Sequence, residues 1–387
     1  MSSHKSKKRK VSHDQQSLRN GADPDTSKPT AVFVPTGGRS HTVSVALPGS
    51  IIANAQSHDQ KTYLAGAIAR ALAVFCIDEV IIFEDDTKPR ANSGKGSYYH
   101  DDDEADGYTA FSDPSHFLAH VLSFLETPPY MRKYLFPMHR NLRTAGALPS
   151  LDMPHHIRAN EWCEYRDGVT VQDESQGEGP VSTTKKKKNK KQKQDSIDES
   201  SVTVIDTGLP QKVRLEGLSI PENTRVTVKF TSSDSNPQEA KPVAPSAPRE
   251  EAGYYWGYNV RRCSSLSTVF TECPFDGGYD LSFGTSERGV DISSILSSSS
   301  SSNTSQPVPK SQHMLIVFGG VAGIEAAVKA DSELLATGVR PGEAEKLFDY
   351  WVNVLPGQGS RTIRTEEAVW LGLMGLRGVV RRNEEGE

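Results

Sequence analysis

The sequence is poor in apolar residues and has no long hydrophobic run. Only 35% of its 387 residues are hydrophobic, whereas a globular domain usually has about 45–50% apolar residues when glycine is counted. No uninterrupted apolar run approaches the ~18 residues that a membrane-spanning helix needs. We therefore expect no contact with the membrane interior, and a chain of which some parts lie outside any packed core.

Cysteine is also scarce. Cys76, Cys163, Cys263 and Cys273 are widely spaced, unlike the dense disulfide framework of small secreted domains. The first twenty residues carry charges but no apolar segment, so they do not resemble a secretory signal. These features predict a soluble intracellular protein.

The low hydrophobicity is concentrated in four polar segments, which we interpret as disordered because they cannot bury enough apolar surface to offset chain entropy. They are the tail 1–38 and the segments 172–200, 231–251 and 293–309.

A net charge of -5 argues at first against a nucleic-acid partner, but the mean hides two basic clusters. Lys5 to Lys10 reads as a nuclear localisation signal, which predicts a nuclear and specifically nucleolar location. The lysine run 185–193 is able to hold RNA phosphates without reading sequence. The alternative for both clusters is a solvated, solubilising segment.

The N-terminal part, 39–150, alternates between strand and helix patterns. Thr42–Leu47 and Glu79–Phe83 read as strands, and Ser57 with Gln60 forms a capping box at the start of the helix between them. This order predicts an α/β fold with a parallel sheet.

The C-terminal part, 261–387, has the same pattern. Met314–Phe318 and Leu347–Val354 read as strands, and Thr365 is a candidate N-cap for a last helix. The predicted apolar face of that helix consists of Ala368, Leu371, Met374 and Leu376.

The middle part, 151–260, contains short β-rich pieces that predict a small barrel inserted into the α/β domain. The predicted strands are Gly168–Val171, Val202–Asp206, Lys212–Leu215, Thr224–Phe230 and Gly253–Val260.

Two glycine-rich loops follow strands in the C-terminal part. Gly319-Gly320 and Gly323 depart from the dinucleotide-binding pattern G-x-G-x-x-G. Asn353–Glu367 joins a strand to a helix and is able to present main-chain groups to a polar small molecule. An ordinary tight connection explains the second loop about as well.

Several motifs together resemble the SPOUT (α/β-knot) class of RNA methyltransferases, and within it a family of putative RNA methyltransferases. They are LPGSIIANAQS (Leu47–Ser57), YLAGAIARALAVFCIDEVIIF (Tyr63–Phe83), LDMPHHIR (Leu151–Arg158), GYYWGYNVR (Gly253–Arg261), PFDGGYDLSFGTSERG (Pro274–Gly289), LIVFGGVAGIE (Leu315–Glu325) and NVLPGQGSRTIRTEE (Asn353–Glu367).

The resemblance implies an α/β fold with a deep trefoil knot at its C-terminal end, an inserted OB-like β-barrel, a homodimer, and S-adenosylmethionine as cofactor. It also implies methyl transfer to a base of RNA, which we expect to be a uridine nitrogen in ribosomal RNA. The alternative is a non-catalytic RNA-binding scaffold in ribosome assembly that keeps the same fold.

By position, the resemblance assigns cofactor binding to the two glycine-rich loops and to Arg288. The loop residues are Gly319, Gly320, Asn353, Val354, Gly357, Gln358, Gly359, Thr362 and Ile363. Arg288, Asn54 and Glu366 are the candidate catalytic residues, and no general base is evident. Arg288 would reach the carboxylate of the donor or an RNA phosphate, for which a planar permanent cation is suited, or else form a salt bridge with Glu287 or another neighbour. Asn54 is equally well explained as a simple helix-start residue.

A metal site is not predicted. His155 and His156 lie near Cys163 in sequence, but a closed tetrahedral zinc site needs four convergent ligands.

Overall fold

The computed structural model describes residue 35 and residues 37–86, 109–172, 202–231, 240–296 and 308–384. The basic clusters at Lys5 to Lys10 and 185–193 lie outside the described residues. So does most of three segments interpreted as disordered, 1–38, 172–200 and 293–309.

The described residues form two sheets and the helices that cover them. The strands are β1 (Thr42–Pro48), β2 (Glu79–Phe83), β3 (Tyr165–Val171), β4 (Val202–Asp206), β5 (Val213–Glu216), β6 (Arg225–Phe230), β7 (Ala240–Val243), β8 (Asn259–Cys263), β9 (Leu281–Asp291), β10 (His313–Val317) and β11 (Tyr350–Asn353). The α-helices are α1 (His58–Val74), α2 (Pro114–Glu126), α3 (Pro129–Leu135), α4 (Ala247–Ala252), α5 (Leu266–Thr271), α6 (Ile292–Leu296), α7 (Ile324–Ala330), α8 (Ser332–Ala336) and α9 (Thr365–Glu384). Short 3-10 helices cover Gly49–Asn54, Arg140–Leu142, Ala145–Ala147 and Pro341–Leu347.

The larger sheet has six strands in the order β11-β9-β10-β1-β2-β8, and all its neighbouring pairs are parallel. Every residue of β1 and β2 is buried, as expected for strands covered on both faces. The predicted parallel sheet and α/β class are confirmed.

Helices cover both faces of this sheet. Val45 and Ile82 belong to a core shared with α1, α2 and α9, whereas Ala46 and Ile81 point the other way, into a core shared with α5 and α7. The alternation of neighbouring side chains along each strand separates these two cores.

Helix α1 begins at the predicted capping box. Ser57 accepts a hydrogen bond from the Gln60 backbone, and the Gln60 side chain bonds back to the cap. Leu64, Ile68 and Leu72 on one face of this helix are buried.

The prediction for the last helix is partly wrong. Thr365 is its first residue rather than its N-cap, and its hydroxyl donates to the carbonyl of Gly319. The buried face includes Val369, Leu373 and Leu376, whereas Met374 is 67% exposed. Periodicity left the choice of face open because α9 carries apolar residues on more than one side, and packing against α1 and α6 decides it.

The smaller sheet is antiparallel in the order β5-β4-β3-β6-β7, and its edge strands β5 and β7 contact each other. Its core includes Ile205, Val213, Val228 and Phe230. Four of the predicted strands of the middle part belong to it, with bounds shifted by a few residues.

The fifth predicted strand, Gly253–Val260, is wrong. The chain from 253 to 258 has no regular structure, and β8 pairs with β2 in the larger sheet. Positive φ angles of 77° at Gly253 and 84° at Gly257 interrupt an extended backbone.

The fifth strand of the smaller sheet is β7, which lies in the segment interpreted as disordered. The interpretation of 231–251 is therefore wrong from residue 240 onward, where β7 and α4 are ordered. Polar composition hid this order because β7 is an edge strand, on which Pro242 is tolerated. Residues 292–296, which form α6, correct the interpretation of 293–309 in the same way.

None of the helices in the described part of the chain is long and apolar enough to cross a membrane. All four cysteines are free thiols.

Candidate active site

Three chain segments meet at the carboxyl edge of the larger sheet, where open parallel sheets usually bind ligands. The β1 loop is the 3-10 helix Gly49–Asn54, the first glycine loop is 318–323 after β10, and the second glycine loop is 354–364 between β11 and α9.

The first glycine loop has two positions at which the turn leaves no room for a side chain or needs a left-handed backbone. A Cβ on Gly319 would lie 2.7 Å from the carbonyl carbon of Gly323, and Gly320 forms a short antiparallel bridge with Gly323. The φ angle of Gly323 is +74°. The backbone itself therefore requires glycine at Gly319 and Gly323, whatever the loop binds, whereas a Cβ on Gly320 would make only ordinary contacts.

The second glycine loop is anchored at its start and open beyond it. The side chain of Asn353 donates to the carbonyl of Glu287 at 2.8 Å and accepts from the N–H of Leu355 at 3.0 Å. Nothing lies within 4 Å of a Cβ placed on Gly357 or Gly359. Asn353 therefore fixes the loop, and the two glycines border free space.

The start of α9 joins the two glycine loops. The Thr365 hydroxyl donates to the carbonyl of Gly319 at 3.2 Å. Two turns further, a Cβ on Gly372 would be 2.9 Å from the ring of Phe318 and 3.4 Å from Val354. The positive end of a helix therefore points at this edge, where it favours anionic groups.

A pair not identified from the sequence lies beside the first glycine loop. Ser50 donates to the Asp85 carboxylate from its backbone N–H at 3.3 Å and from its hydroxyl at 2.6 Å. A Cβ on Gly320 would be 3.4 Å from the Ser50 hydroxyl and 3.5 Å from Oδ2 of Asp85. Burial raises the pKa of Asp85, and the bonds from Ser50 only partly oppose that effect.

The signal for this pair was the acidic run that directly follows β2 at the carboxyl edge. It was missed because 35 residues separate Ser50 from Asp85, and only the parallel pairing of β1 with β2 brings them together.

The predicted catalytic residues all lie at the same edge. Asn54 is exposed at the end of the β1 loop. The Arg288 guanidinium is 72% exposed and lies 3.5 Å from the carboxylate of Glu325, so its salt bridge is with Glu325 and not Glu287. The Glu366 carboxylate lies 3.6 Å from Arg364.

The remaining predicted cofactor residues belong to the second glycine loop. Val354 is half-buried beside Gly372, Gln358 and Ile363 are half-buried, and Thr362 is exposed.

The histidines near Cys163 have other partners. The Nε2 atoms of His155 and His156 lie 3.0 and 2.6 Å from the carbonyl oxygen of Glu126. The aromatic residues Tyr255, Trp256 and Tyr258 nearby are buried in the cores.

A family model described as "Putative RNA methyltransferase" matches residues 42–376. A human protein named 28S rRNA (uridine-N(3))-methyltransferase is 41% identical over 343 residues, which cover 88% of this chain and 78% of that protein. The Drosophila melanogaster protein of the same name is 40% identical over 87% of this chain and 61% of its own length. A putative methyltransferase of Caenorhabditis elegans is 32% identical, with 85% and 78% covered. These matches confirm the family resemblance and the enzyme class predicted from the sequence.

Proposed function

We propose that this chain, which belongs to the putative RNA methyltransferase family, uses S-adenosylmethionine to methylate N3 of a uridine in large-subunit ribosomal RNA. The carrying observation is the match to the human uridine-N3 enzyme across 88% of the chain. The family match, residues 42–376, also contains every segment of the candidate active site.

The glycine loops fit the cofactor. They present main-chain groups at the carboxyl edge, and Gly357 and Gly359 border free space. S-adenosylmethionine, when bound, supplies an electrophilic methyl group on sulfur. The residues that would hold it are Gly319, Gly320, Asn353, Val354, Gly357, Gln358, Gly359, Thr362 and Ile363, with Arg288 facing its carboxylate or an RNA phosphate.

Asp85 is the best-placed general base. N3 of a neutral uridine carries a proton, which must leave before or as the nitrogen attacks the methyl carbon. A half-buried carboxylate of raised pKa beside the first glycine loop is suited to accept it. Ser50 orients this carboxylate, and the remaining acceleration comes from holding the base and the methyl group in line.

The C-terminal knot and the OB-like insert belong to the same proposal. Support for the knot comes from α9, which leaves the second glycine loop beyond β11 and packs back between Phe318 and Val354. Support for the barrel comes from the five-stranded antiparallel sheet whose edge strands contact each other. This insert would hold the RNA while the larger sheet holds the cofactor.

A homodimer is also proposed, through the outer faces of α1 and α9. Tyr63 and Val74 are 56% and 48% exposed, and their spacing of eleven residues puts them on one side of α1. Trp370 contacts the ring of Phe75, next to Val74, and Met374 follows one turn later on α9. This apolar surface is of the kind that subunits cover.

Nuclear import through Lys5 to Lys10 stays a proposal, as does RNA tethering by the lysine run 185–193.

The test is methylation of a large-subunit rRNA fragment by the purified protein, followed by mass spectrometry of its nucleosides. The expected product is 3-methyluridine, and a Gly320→Trp variant should lose both product and calorimetric cofactor binding. A fragment that stays unmethylated while RNA binding is intact would favour the scaffold alternative.

A further inference from the structure

Three histidines gather away from the glycine loops, where α2 meets the chain segment 136–142. His116 and His120 stand one turn apart on α2, and His139 directly precedes the 3-10 helix Arg140–Leu142. Each offers one ring nitrogen, and these nitrogens all lie within 4.8 Å of one another. All three residues are half-buried, so a solute can reach them.

We propose that His116, His120 and His139 bind a zinc ion, with water in the fourth coordination position. Imidazole nitrogen is a preferred zinc ligand, and three histidines with one open position make a known type of zinc site. Histidines four residues apart on a helix present both rings on one face, which is the spacing that zinc-binding helices use.

The distances allow this site after a small movement. Around a tetrahedral zinc ion, ligand nitrogens stand roughly 3.3 Å apart. Rings that now lie within 4.8 Å of one another must therefore draw together by roughly 1.5 Å at most.

The surroundings orient the rings. The His120 ring stacks on Phe136, with centroids 5.7 Å apart and planes 19° apart. The backbone N–H of Asn141 donates to Nδ1 of His139 at 3.1 Å. Coordination of His139 through Nε2 would keep this hydrogen bond, whereas coordination through Nδ1 would exchange it for the metal bond.

The position of the site indicates what zinc would do. Ser115, next to His116, packs directly against Gly49 at the start of the β1 loop. A zinc ion would fix segment 136–142 to the helix that supports this loop. The ion would thereby hold this segment in place. The sequence alone had pointed only to His155, His156 and Cys163 as possible ligands.

The test uses the full chain with any affinity tag removed, stripped by a chelator and titrated with zinc chloride against a chromophoric competitor. One tightly held zinc per chain is expected. His120→Gln and His139→Gln should each weaken binding by at least ~100-fold. Cobalt(II) should give the visible absorption of a four-coordinate site in the native chain and lose it in His116→Gln.

The matched control is His313→Gln, because this half-buried ring also stacks on a phenylalanine, Phe275, far from the cluster in the sheet. It should bind zinc like the native chain. Thermal unfolding without zinc verifies that each variant is folded, and added zinc should raise the melting temperature only where the three histidines are intact. A native chain that retains no zinc, or variants that bind it equally well, would overturn the proposal.

Discussion

The carboxyl edge of the larger sheet and the junction between the two sheets use charged residues in opposite ways. At the edge, Arg288 is largely exposed and pairs only loosely with Glu325. At the junction, Arg225 bonds to both Glu126 and Asp167, whose carboxylates are almost completely buried. The guanidinium of Arg288 is therefore available to a ligand, whereas the guanidinium of Arg225 forms ion pairs that stabilise the fold.

Residues from several elements form hydrogen bonds with the two buried carboxylates at this junction. Asp167 on β3 also accepts bonds from Trp256 at 3.0 Å and Thr227 at 2.8 Å, and Glu126 at the end of α2 lies 2.9 Å from His155. Burial alone would raise the pKa of both carboxyls, but Arg225 holds each below its usual range. The smaller sheet is therefore held to α2 by buried charges that must stay paired.

The largest expected effect comes from removing the Arg225 side chain from this junction. Arg225→Ala should lower the free energy of unfolding by about 3–5 kcal/mol, because two carboxylates would stay buried without their cation. Chemical denaturation measures it, with Lys241→Ala on the same sheet as the control, since this lysine is exposed. A loss below about 1 kcal/mol would mean that the ion pairs of the junction contribute no more to stability than an exposed surface ion pair.

At the edge, the largest expected effect is on catalysis rather than on stability. Asp85→Asn should lower the methylation rate by roughly 100-fold or more, as for the loss of a general base. Ser50→Ala should have a smaller effect, and the exposed neighbour Asp86→Asn little effect. Cofactor binding and unfolding should change little in Asp85→Asn, and a variant that simply unfolds would contradict the assigned role.

The next expected effect is a loss of stability at low pH, which should come from the junction between the two sheets. Because the pKa values of Glu126 and Asp167 are lowered in the folded state, their stabilising contribution is complete above the ordinary carboxyl pKa of about 4. It is lost as pH falls below that value, because the unfolded chain then binds more protons. Unfolding measured from pH 7 to pH 3 should show this loss, and Arg225→Ala should reduce it. An unchanged slope in the variant would contradict the assignment.

The smallest expected effect concerns the contact between α9 and the first glycine loop. Thr365→Val should cost about 1 kcal/mol of stability through the lost hydrogen bond to Gly319, and should weaken cofactor binding. Thr337→Val is the control, because this exposed threonine also donates to a carbonyl, that of Leu334, at the end of α8 and outside the glycine loops. If calorimetry finds equal cofactor affinity in both, the contact does not shape the cofactor site.

Local patterns predicted what depends on local interactions. The α1 capping box, β2 and the first glycine loop lie where the sequence indicates, because caps, buried strands and tight turns are set by neighbouring residues. The segment 240–251 was mistaken for disorder because β7 is ordered by its pairing with β6, and composition does not reveal that pairing.

The candidate site divides in the same way. The second glycine loop could be named from its residues, but the Ser50–Asp85 pair could not, because it depends on the pairing of β1 with β2.

The sequence by itself determined the α/β class, the family resemblance and the loops expected to bind the cofactor. These features could be predicted because periodicity, capping residues and motifs each depend on a short stretch of chain. Only the tertiary structure decided that β8 joins the larger sheet, that α9 buries Leu373 rather than Met374, and that Asp85 faces the first glycine loop. These outcomes depend on contacts between distant segments, whose energies are settled by packing and burial.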